Sequence, residues 1–416
     1  MWRRPVAVVA LGFLLGLAAC AAPADKLPAP VIPERAVEFA GVAQDAAVPD
    51  AWADASVRLA TALVGLAADG ENAVVSPLSL QLALAMLREG ASGQVAAEID
   101  AAIGLSGADS QAVADLRAYL AEYEGDVAGI DKDNPPASPV LHIADGVFIQ
   151  PGAPVTDRFL ERVVAYHLAE VYEADFEGGN AKPVLDAWVN RETGGLLTEA
   201  PSEPLPDTLV TLLDAVTFGA SWQTPFDPQA TGPGPFERAD GQTVQVPMMR
   251  ALLGARYAAG EGWRAIELPY TDGFAMRLVL PDAAGALSPD QWIAAHDALD
   301  TAEPTMVSLW MPSWETDTNL DLTDALEALG LGSLPDPRGD LDGIFPDACV
   351  SAVGQAATIT VAERGTVAAA VTQVEVGVTS APVQDVELHL DRPFEYQVID
   401  LTHGLVLFAG RVLDPS

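Results

Sequence analysis

The sequence predicts an α+β fold in which helices come first and short strands follow. Apolar residues recur at helical spacing in several segments of the first half of the chain. From residue 244 onward the apolar stretches are short, as in strands, and they do not alternate with helices. This order favours mixed or antiparallel sheets over a doubly wound parallel sheet. No Gly/Ser linker divides the 416 residues, so we expect one large domain with a sizeable core.

The predicted helices follow from apolar periodicity and from capping residues. Ser76 followed by Pro77 fits an N-cap with proline at the helix start. Helices are predicted at residues 52–68, 78–90, 96–103, 111–124, 157–169, 184–193 and 321–329. The polar, proline-containing stretch 125–139 is predicted to be a loop.

The predicted strands begin in the middle of the chain and dominate its second half. Residues 210–218 alternate in part between apolar and polar, which favours a central strand. Further strands are predicted at 141–149, 244–249, 265–269, 275–280, 307–312 and 357–361, with two more inside 395–412. No internal repeat is visible.

The most informative segment runs from Glu363 to Ser380. From Thr372 the sequence alternates with period two, with Thr and three Val on one face and Gln, Glu and Gly on the other. The residues before Thr372 are mostly small, and no proline occurs between Glu363 and Ala381, so every N–H can donate to a ladder. The segment can therefore exist either as an exposed loop or as an inserted strand. An ordinary strand with an Ala-rich start remains the alternative.

Residues on both sides of this segment resemble the serpin family. The hinge of inhibitory members is matched by Glu363, Gly365, Thr366, Ala368, Ala369, Ala370 and Thr372. The C-terminal signature is matched by Asp-Arg-Pro-Phe at 391–394 and by Leu-Phe-x-Gly-Arg-Val at 407–412. Further motifs follow in the family's order: Val-Val-Ser-Pro-Leu-Ser at 74–79, Phe-x-x-x-Trp-x-x-Pro-Phe-Asp at 218–227, Val-Pro-Met-Met at 246–249 and Glu-Leu-Pro-Tyr at 267–270.

The resemblance implies several helices packed around three β-sheets, with an exposed reactive-centre loop at about residues 363–385. It also implies a suicide-type inhibitor, in which a serine protease cuts the loop and is trapped as its acyl intermediate when the loop inserts into the main sheet. Counting from the hinge places the bond at Thr379–Ser380, within the window of Val376, Gly377, Val378 and Ala381. Counting from the C-terminal signature instead lands near Pro382.

The residues before the bond indicate the class of target. They are small or aliphatic, and none is Lys, Arg or aromatic. Such residues suit the shallow apolar pocket of an elastase-like or subtilisin-like protease, whereas a trypsin-like enzyme needs a cation. A non-inhibitory serpin acting as a surface binding or chaperone-like lipoprotein is the alternative, although the small hinge residues argue against it.

The resemblance also points to residues that control opening of the sheet. Ser76, Ser79, Asp214 and Gln355 match its polar cluster, in which many members carry Asn and His where this chain has Asp214 and Gln355. We expect the Asp and Gln side chains to hydrogen-bond with the serine hydroxyls. Trp222 matches the tryptophan at the end of the sheet where the hinge enters.

The N-terminus resembles a bacterial lipoprotein signal. Two arginines precede an apolar run too short to span a bilayer, and Leu-Ala-Ala closes it before Cys20. We expect a signal peptide at 1–20, lipid on Cys20, a Pro/Ala-rich tether at 21–48 and the serpin domain at 49–416. The protein would then be secreted and lipid-anchored to a bacterial membrane, facing the periplasm or the cell surface. A plain secretory peptide cut near Ala22 is the alternative.

Composition excludes several functions. The formal charge is −38 and the Lys and Arg residues form no cluster, so nucleic acid is not an expected partner. No Gly-x-Ser-x-Gly, His-Glu-x-x-His, Cys-x-x-Cys or Walker motif occurs, so we expect no enzyme, no cofactor and no metal site. An unrecognised hydrolase site would be the only route to catalysis. We expect a monomer, and Cys349 is expected to be a small buried hydrophobe beside the strand that leads to the hinge.

Overall fold

The computed structural model describes residues 27–31, 39–40, 48–66, 71–105, 110–131, 134–283, 285–336, 340–366 and 385–416. Its helices are α1 Asp50–Leu66, α2 Pro77–Arg88, α3 Gly93–Ile103, α4 Ser110–Leu120, α5 Asp157–His167, α6 Ala181–Glu192 and α7 Pro289–Thr301. Its strands are β1 Ala73–Val75, β2 Val140–Ile149, β3 Glu170–Glu173, β4 Val210–Ser221, β5 Gly232–Glu237, β6 Thr243–Gly260, β7 Trp263–Pro269, β8 Phe274–Pro281, β9 Pro304–Pro312, β10 Trp314–Asp321, β11 Gly354–Ala362, β12 Gly365–Thr366, β13 Val386–His389, β14 Phe394–Asp400 and β15 Val406–Val412.

Most predicted elements are confirmed within a few residues of their ends. The N-cap of α2 is Ser76, whose side chain accepts from the Ser79 N–H, and Pro77 begins the helix. The helix predicted at 321–329 is wrong, because residue 321 ends β10 and only a short 3₁₀ turn, Thr323–Ala325, follows. The strand predicted at 244–249 is part of the much longer β6.

The described strands form two sheets where three were expected, because β6 pairs with β5, β7 and β9 and so joins their strands into one sheet. The six-stranded sheet has the order β10-β11-β12-β4-β2-β3 and is antiparallel except for the pair β2 and β3. The nine-stranded sheet contains the remaining strands. Its two parts are joined by β6, which pairs with β5 and β9 over most of its length and with β7 at its end.

The six-stranded sheet is covered on both faces, and this sets the environment of the site described below. One face rests on α2 and the central core, which includes Leu78, Leu82 and Phe218. The other face packs against α6, where Trp188 contacts a separate apolar cluster with Leu213 and Ala215 of β4. Alternate residues of β4 therefore face the core and α6 in turn.

Two pieces of the segment 21–48 lie against the body. The Val31 N–H donates to the Val171 carbonyl at 2.8 Å, and the Ala40 N–H donates to the Ala165 carbonyl at 3.1 Å. Leu27 packs against the apolar cluster that contains Trp188 of α6 and Leu213 of β4. These contacts attach the segment beside β3, the edge strand of the six-stranded sheet.

Candidate functional site

The site is a cleft in the six-stranded sheet, between β4 and β11. At one end of the cleft lies β12, which has only two residues. Gly365 and Thr366 pair with Ala362 and Val361 of β11 on one side, and with Ser221 and Ala220 of β4 on the other. Beyond β12 no ladder joins β4 to β11 among the described residues. β4 and β11 are thus separated along most of their length, and the short strand β12 lies between them at one end.

Trp222 and Tyr270 support the hinge at the start of β12. Their rings are stacked, with centroids 4.6 Å apart. The Trp222 indole donates to the Ala362 carbonyl at 2.9 Å, and its backbone N–H donates to the Arg364 carbonyl at 2.9 Å. The Tyr270 hydroxyl hydrogen-bonds with the Thr366 hydroxyl at 2.6 Å. The structure thus places Trp222 where the hinge enters the sheet.

Gly365 is required here by close approach. A Cβ at this position would lie 2.2 Å from the Ala220 carbonyl oxygen, well inside van der Waals contact. The gap between β11 and β4 therefore admits no side chain at this position of the hinge. Glu363 lies in the preceding turn, where its carbonyl accepts from the Phe226 N–H at 2.7 Å.

A largely apolar cavity of about 430 Å³ extends from β12 along the cleft. Its walls include residues of α2 and residues of the segment that connects α6 to β4. The polar residues that line it include Ser76, Ser79, Asp214, Gln355 and Thr366. Four of the five residues predicted to control sheet opening therefore share one cavity with Thr366 of the hinge, and Trp222 lies near that end of it.

Gln355 ties β11 to the start of α2. Its side-chain oxygen accepts from the Ser76 N–H at 3.0 Å, and its amide donates to the Ser76 carbonyl at 2.7 Å. The Ser76 hydroxyl instead donates to the Leu407 carbonyl at 2.8 Å and caps α2. The expected hydrogen bond from Gln355 to a serine hydroxyl is therefore wrong, because the Ser76 backbone takes both groups of the amide.

Asp214 lies on the opposite wall of the cleft beside a second carboxyl group. It pairs in register with Asp145 of β2, and Arg117 of α4 donates to Asp145 Oδ2. Both Asp214 oxygens and Asp145 Oδ1 are buried, and the polar side chains beside Asp214 are those of Asp145 and Ser79. Burial, and then the Asp145 carboxylate, raise the pKa of Asp214 well above that of an ordinary aspartate. Asp214 therefore keeps its proton to a higher pH than an ordinary aspartate does.

Sequence reasoning missed three residues of this site. Tyr270, Asp145 and Arg117 come from three different elements and reach the cleft only through sheet pairing and helix packing. Tyr270 lies in the motif at 267–270, which is the only signal that could have drawn attention to it.

Several predicted residues lie outside the described part of the chain. These are Ala368, Ala369, Ala370, Thr372, the bond Thr379–Ser380, the window residues Val376, Gly377, Val378 and Ala381, and Cys20. Cys349 is described and is exposed, so the prediction that it is buried is wrong. It belongs to the irregular segment before β11, which turns this side chain outward.

Comparison with known proteins identifies the family. The family model described as "Serpin (serine protease inhibitor)" matches residues 51–415. The chain belongs to the serpin family. It is accordingly a member of a family of protease inhibitors and not of enzymes, and the serpin fold expected from its motifs is confirmed.

Curated relatives and solved structures agree over most of the chain. Putative serpin-Z12 of Oryza sativa subsp. japonica is 30% identical over 83% of this chain and 86% of its own length. Serpin A3-1 of Bos taurus is 28% identical over 83% and 84%. Among solved structures, the thermophilic serpin tengpin in its native state has a TM-score of 0.79, with 23% identity and coverage of 93% of this chain and 100% of that one. Serpin48 of the insect Tenebrio molitor has a TM-score of 0.75, with 24% identity and coverage of 90% and 100%.

No helix in the described ranges is long and apolar enough to cross a membrane.

Proposed function

We propose that this serpin is an inhibitory member that traps a serine protease by inserting its cleaved loop into the cleft between β4 and β11. The observation that carries the proposal is β12, which is hydrogen-bonded on both sides and continues into the residues of the loop. Two residues of the additional strand are thus already in the sheet. The apolar cavity beyond them provides the place for the rest.

The register of β12 assigns a partner to each residue that would follow it. In an antiparallel pair, each step forward on one strand is a step back on the other. Thr366 lies opposite Ala220, so residue 376 would come opposite Val210, the first residue of β4. Residues 367–376 would therefore fill β4 to its end, which leaves the proposed bond at Thr379–Ser380 just beyond the sheet.

The side-chain pattern of the loop fits the two faces of the cleft. Thr366 faces the core, so Thr372, Val374 and Val376 would face the core as well, and the polar residues between them would face α6. Ala368 would come opposite Phe218, whose ring already packs edge-on against Tyr270 and Phe274. A small residue at 368 would leave the Phe218 ring in place, which supports a role for the alanines of the hinge in insertion.

The chemistry of trapping is that of an interrupted proteolysis. The target's serine oxygen attacks the carbonyl carbon of Thr379, and the C–N bond to Ser380 breaks as the new amine takes a proton from the enzyme's histidine. The product is an ester between the loop and the protease. Insertion of residues 367–376 would carry that ester across the sheet before water attacks it.

The aliphatic and small residues at the bond support an elastase-like or subtilisin-like target. We also propose that the protein is a bacterial lipoprotein attached to a membrane through lipid on Cys20, because its first 20 residues have the order of a lipoprotein signal. Globomycin treatment of producing cells, followed by mass spectrometry of the N-terminus, tests the lipid independently of inhibition.

The decisive experiment mixes the protein with elastase and with subtilisin at several ratios. We expect a covalent complex that survives SDS and contains the loop cut at Thr379–Ser380. We also expect the cleaved protein to unfold at a much higher guanidinium concentration than the intact one, because the strand has been added. Complete digestion at every ratio, with no gain in stability on cleavage, would favour the non-inhibitory alternative.

A further inference from the structure

A histidine on β2 is held between two glutamates that belong to other parts of the fold. His142 Nδ1 lies 2.5 Å from Oε1 of Glu124, in the segment that joins α4 to β2. His142 Nε2 lies 2.9 Å from Oε2 of Glu192, the last residue of α6. An ionised carboxylate only accepts hydrogen bonds, so both ring nitrogens have to donate. The bridge between the two glutamates therefore exists only while His142 carries its positive charge.

The charged groups around His142 favour this protonated form. On α6, the carboxylate of Glu192 is also bound by Arg191, which in turn contacts Glu170 of β3. The hydrogen bond to Glu192 raises the pKa of His142 above 6.5; burial opposes this effect, and the hydrogen bond to Glu124 adds to it. Because the arginine and the carboxylates keep their charges near neutral pH, His142 is the member of this group that titrates there.

Glu192 fixes the end of a helix that forms part of the cleft. Its carbonyl accepts from the hydroxyl of Thr217 on β4 at 3.3 Å, while its carboxylate contacts His142 on β2. Thr217 is the neutral register partner of His142. Val189 and Thr193, on either side of Glu192 in the sequence, line the cavity between β4 and β11. The position of this end of α6 therefore determines the shape of one cavity wall.

Loss of the His142 proton weakens this attachment. A neutral imidazole has one N–H and one lone pair, so it donates to only one glutamate, and its lone pair repels the other carboxylate. The Glu124 side chain is half-exposed and can turn into solvent, whereas the Glu192 side chain is 12% exposed. Whichever contact is kept, the positive charge that attracts both carboxylates is gone, and α6 is held to β2 less tightly.

We propose that His142 is a pH-sensitive latch that holds the C-terminal end of α6 against β2 and loosens this wall of the cleft as the pH rises above neutrality. A histidine whose pKa in the folded protein lies above 6.5 stabilises the fold fully below that pH, and the contribution is lost as the pH rises through the raised pKa. The cavity wall is thus firm in mildly acidic surroundings and looser in alkaline ones. This property belongs to the uncut protein and does not depend on the proposed inhibition.

Hydrogen exchange of the intact, full-length protein at pH 6 and pH 9, followed by mass spectrometry, tests the latch. Dividing the measured rates by the intrinsic exchange rate at each pH gives a protection factor for each peptide. We expect the protection factors of peptides from α6 to fall roughly fivefold to twentyfold from pH 6 to pH 9, because a charge-assisted hydrogen bond is replaced by a weaker one. Peptides from α3, which contains no histidine, should keep their protection factors.

Three variants separate the latch from a general effect of pH. H142Q keeps a hydrogen-bond donor but does not titrate, so the protection of α6 should be the same at both pH values. E192Q removes the charge at the helix end and should reduce the pH effect to less than half. H389Q is the matched control, because His389 contacts Glu387 at 2.7 Å within the single strand β13, and it should behave as the wild type. Unchanged protection of α6 in the wild type, or an equal fall in H142Q, would overturn the inference.

Discussion

The facing of the inserted strand can be tested by one substitution on each side. Val374 would come opposite Leu212 and face the core, over the apolar side chains of α2, whereas Glu375 would face α6. V374A removes apolar volume from the core face. E375Q is the matched control, because it changes the neighbouring residue without changing its size.

The expected magnitude follows from the atoms removed. Val to Ala deletes two methyl groups, each equivalent to roughly 0.8 kcal/mol when buried, and a residual cavity adds to the loss. We therefore expect the stability gained on cleavage to fall by about 1.5–2.5 kcal/mol in V374A, and to change by less than about 0.5 kcal/mol in E375Q.

The assay is equilibrium unfolding in guanidinium of the intact and cleaved forms of both variants, followed by tryptophan fluorescence. The difference between the two forms isolates the inserted strand from effects on the rest of the fold. Equal losses for V374A and E375Q, or a loss confined to E375Q, would show that the strand enters with the opposite facing or does not enter the cleft.

Three further predictions concern described residues. W222F keeps an aromatic ring beside Tyr270 but removes the indole donor to the Ala362 carbonyl. The free energy of unfolding of the intact protein in urea should therefore fall by about 1–3 kcal/mol. As a control, substitution of the exposed Ile293 by Ala should lower it far less. R117M leaves Asp145 buried without its cation and should cost about 3–5 kcal/mol at pH 7; a loss below 1 kcal/mol would contradict a stabilising ion pair between Arg117 and Asp145. Burial, aided by Arg277, lowers the pKa of His296 to about 4, so the unfolded chain binds a proton between pH 6.5 and 4 that the folded chain does not. The free energy of unfolding should therefore fall by about 2–3 kcal/mol as the pH drops through that window, and H296Q should flatten the profile measured by urea titration.

The elements that sequence reasoning placed well are those whose signal is local. The Ser76–Pro77 cap and the apolar face of α2 lie within a dozen residues, and the structure has the helix there. The helix α7 was missed although Ser288 and Gln291 form a capping box that could have been found. Strand β10 was missed because its polar residues, such as Thr316 and Asp317, hide the alternation that its pairing with β11 imposes.

The site itself could be predicted only in part. The motifs brought Ser76, Ser79, Asp214 and Gln355 into one hypothesis, and all four line one cavity. The neighbours of Asp214 could not be predicted. No feature of the sequence indicates that β2 pairs with β4 in the register that places Asp145 opposite Asp214. A register error of one residue would have turned that side chain to the other face.

The hydrogen bonds at Val31 and Ala40 bear on where the proposed inhibitor would work. With Cys20 as the proposed attachment point, six residues lie between it and Leu27, and the seven residue steps of a fully extended chain span about 25 Å. The short tether would hold the β3 edge of the six-stranded sheet nearest the bilayer. The domain would therefore stay close to the membrane surface. Its targets would be proteases that come close to the lipid surface. Proteases that stay in solution away from the membrane would not be reached.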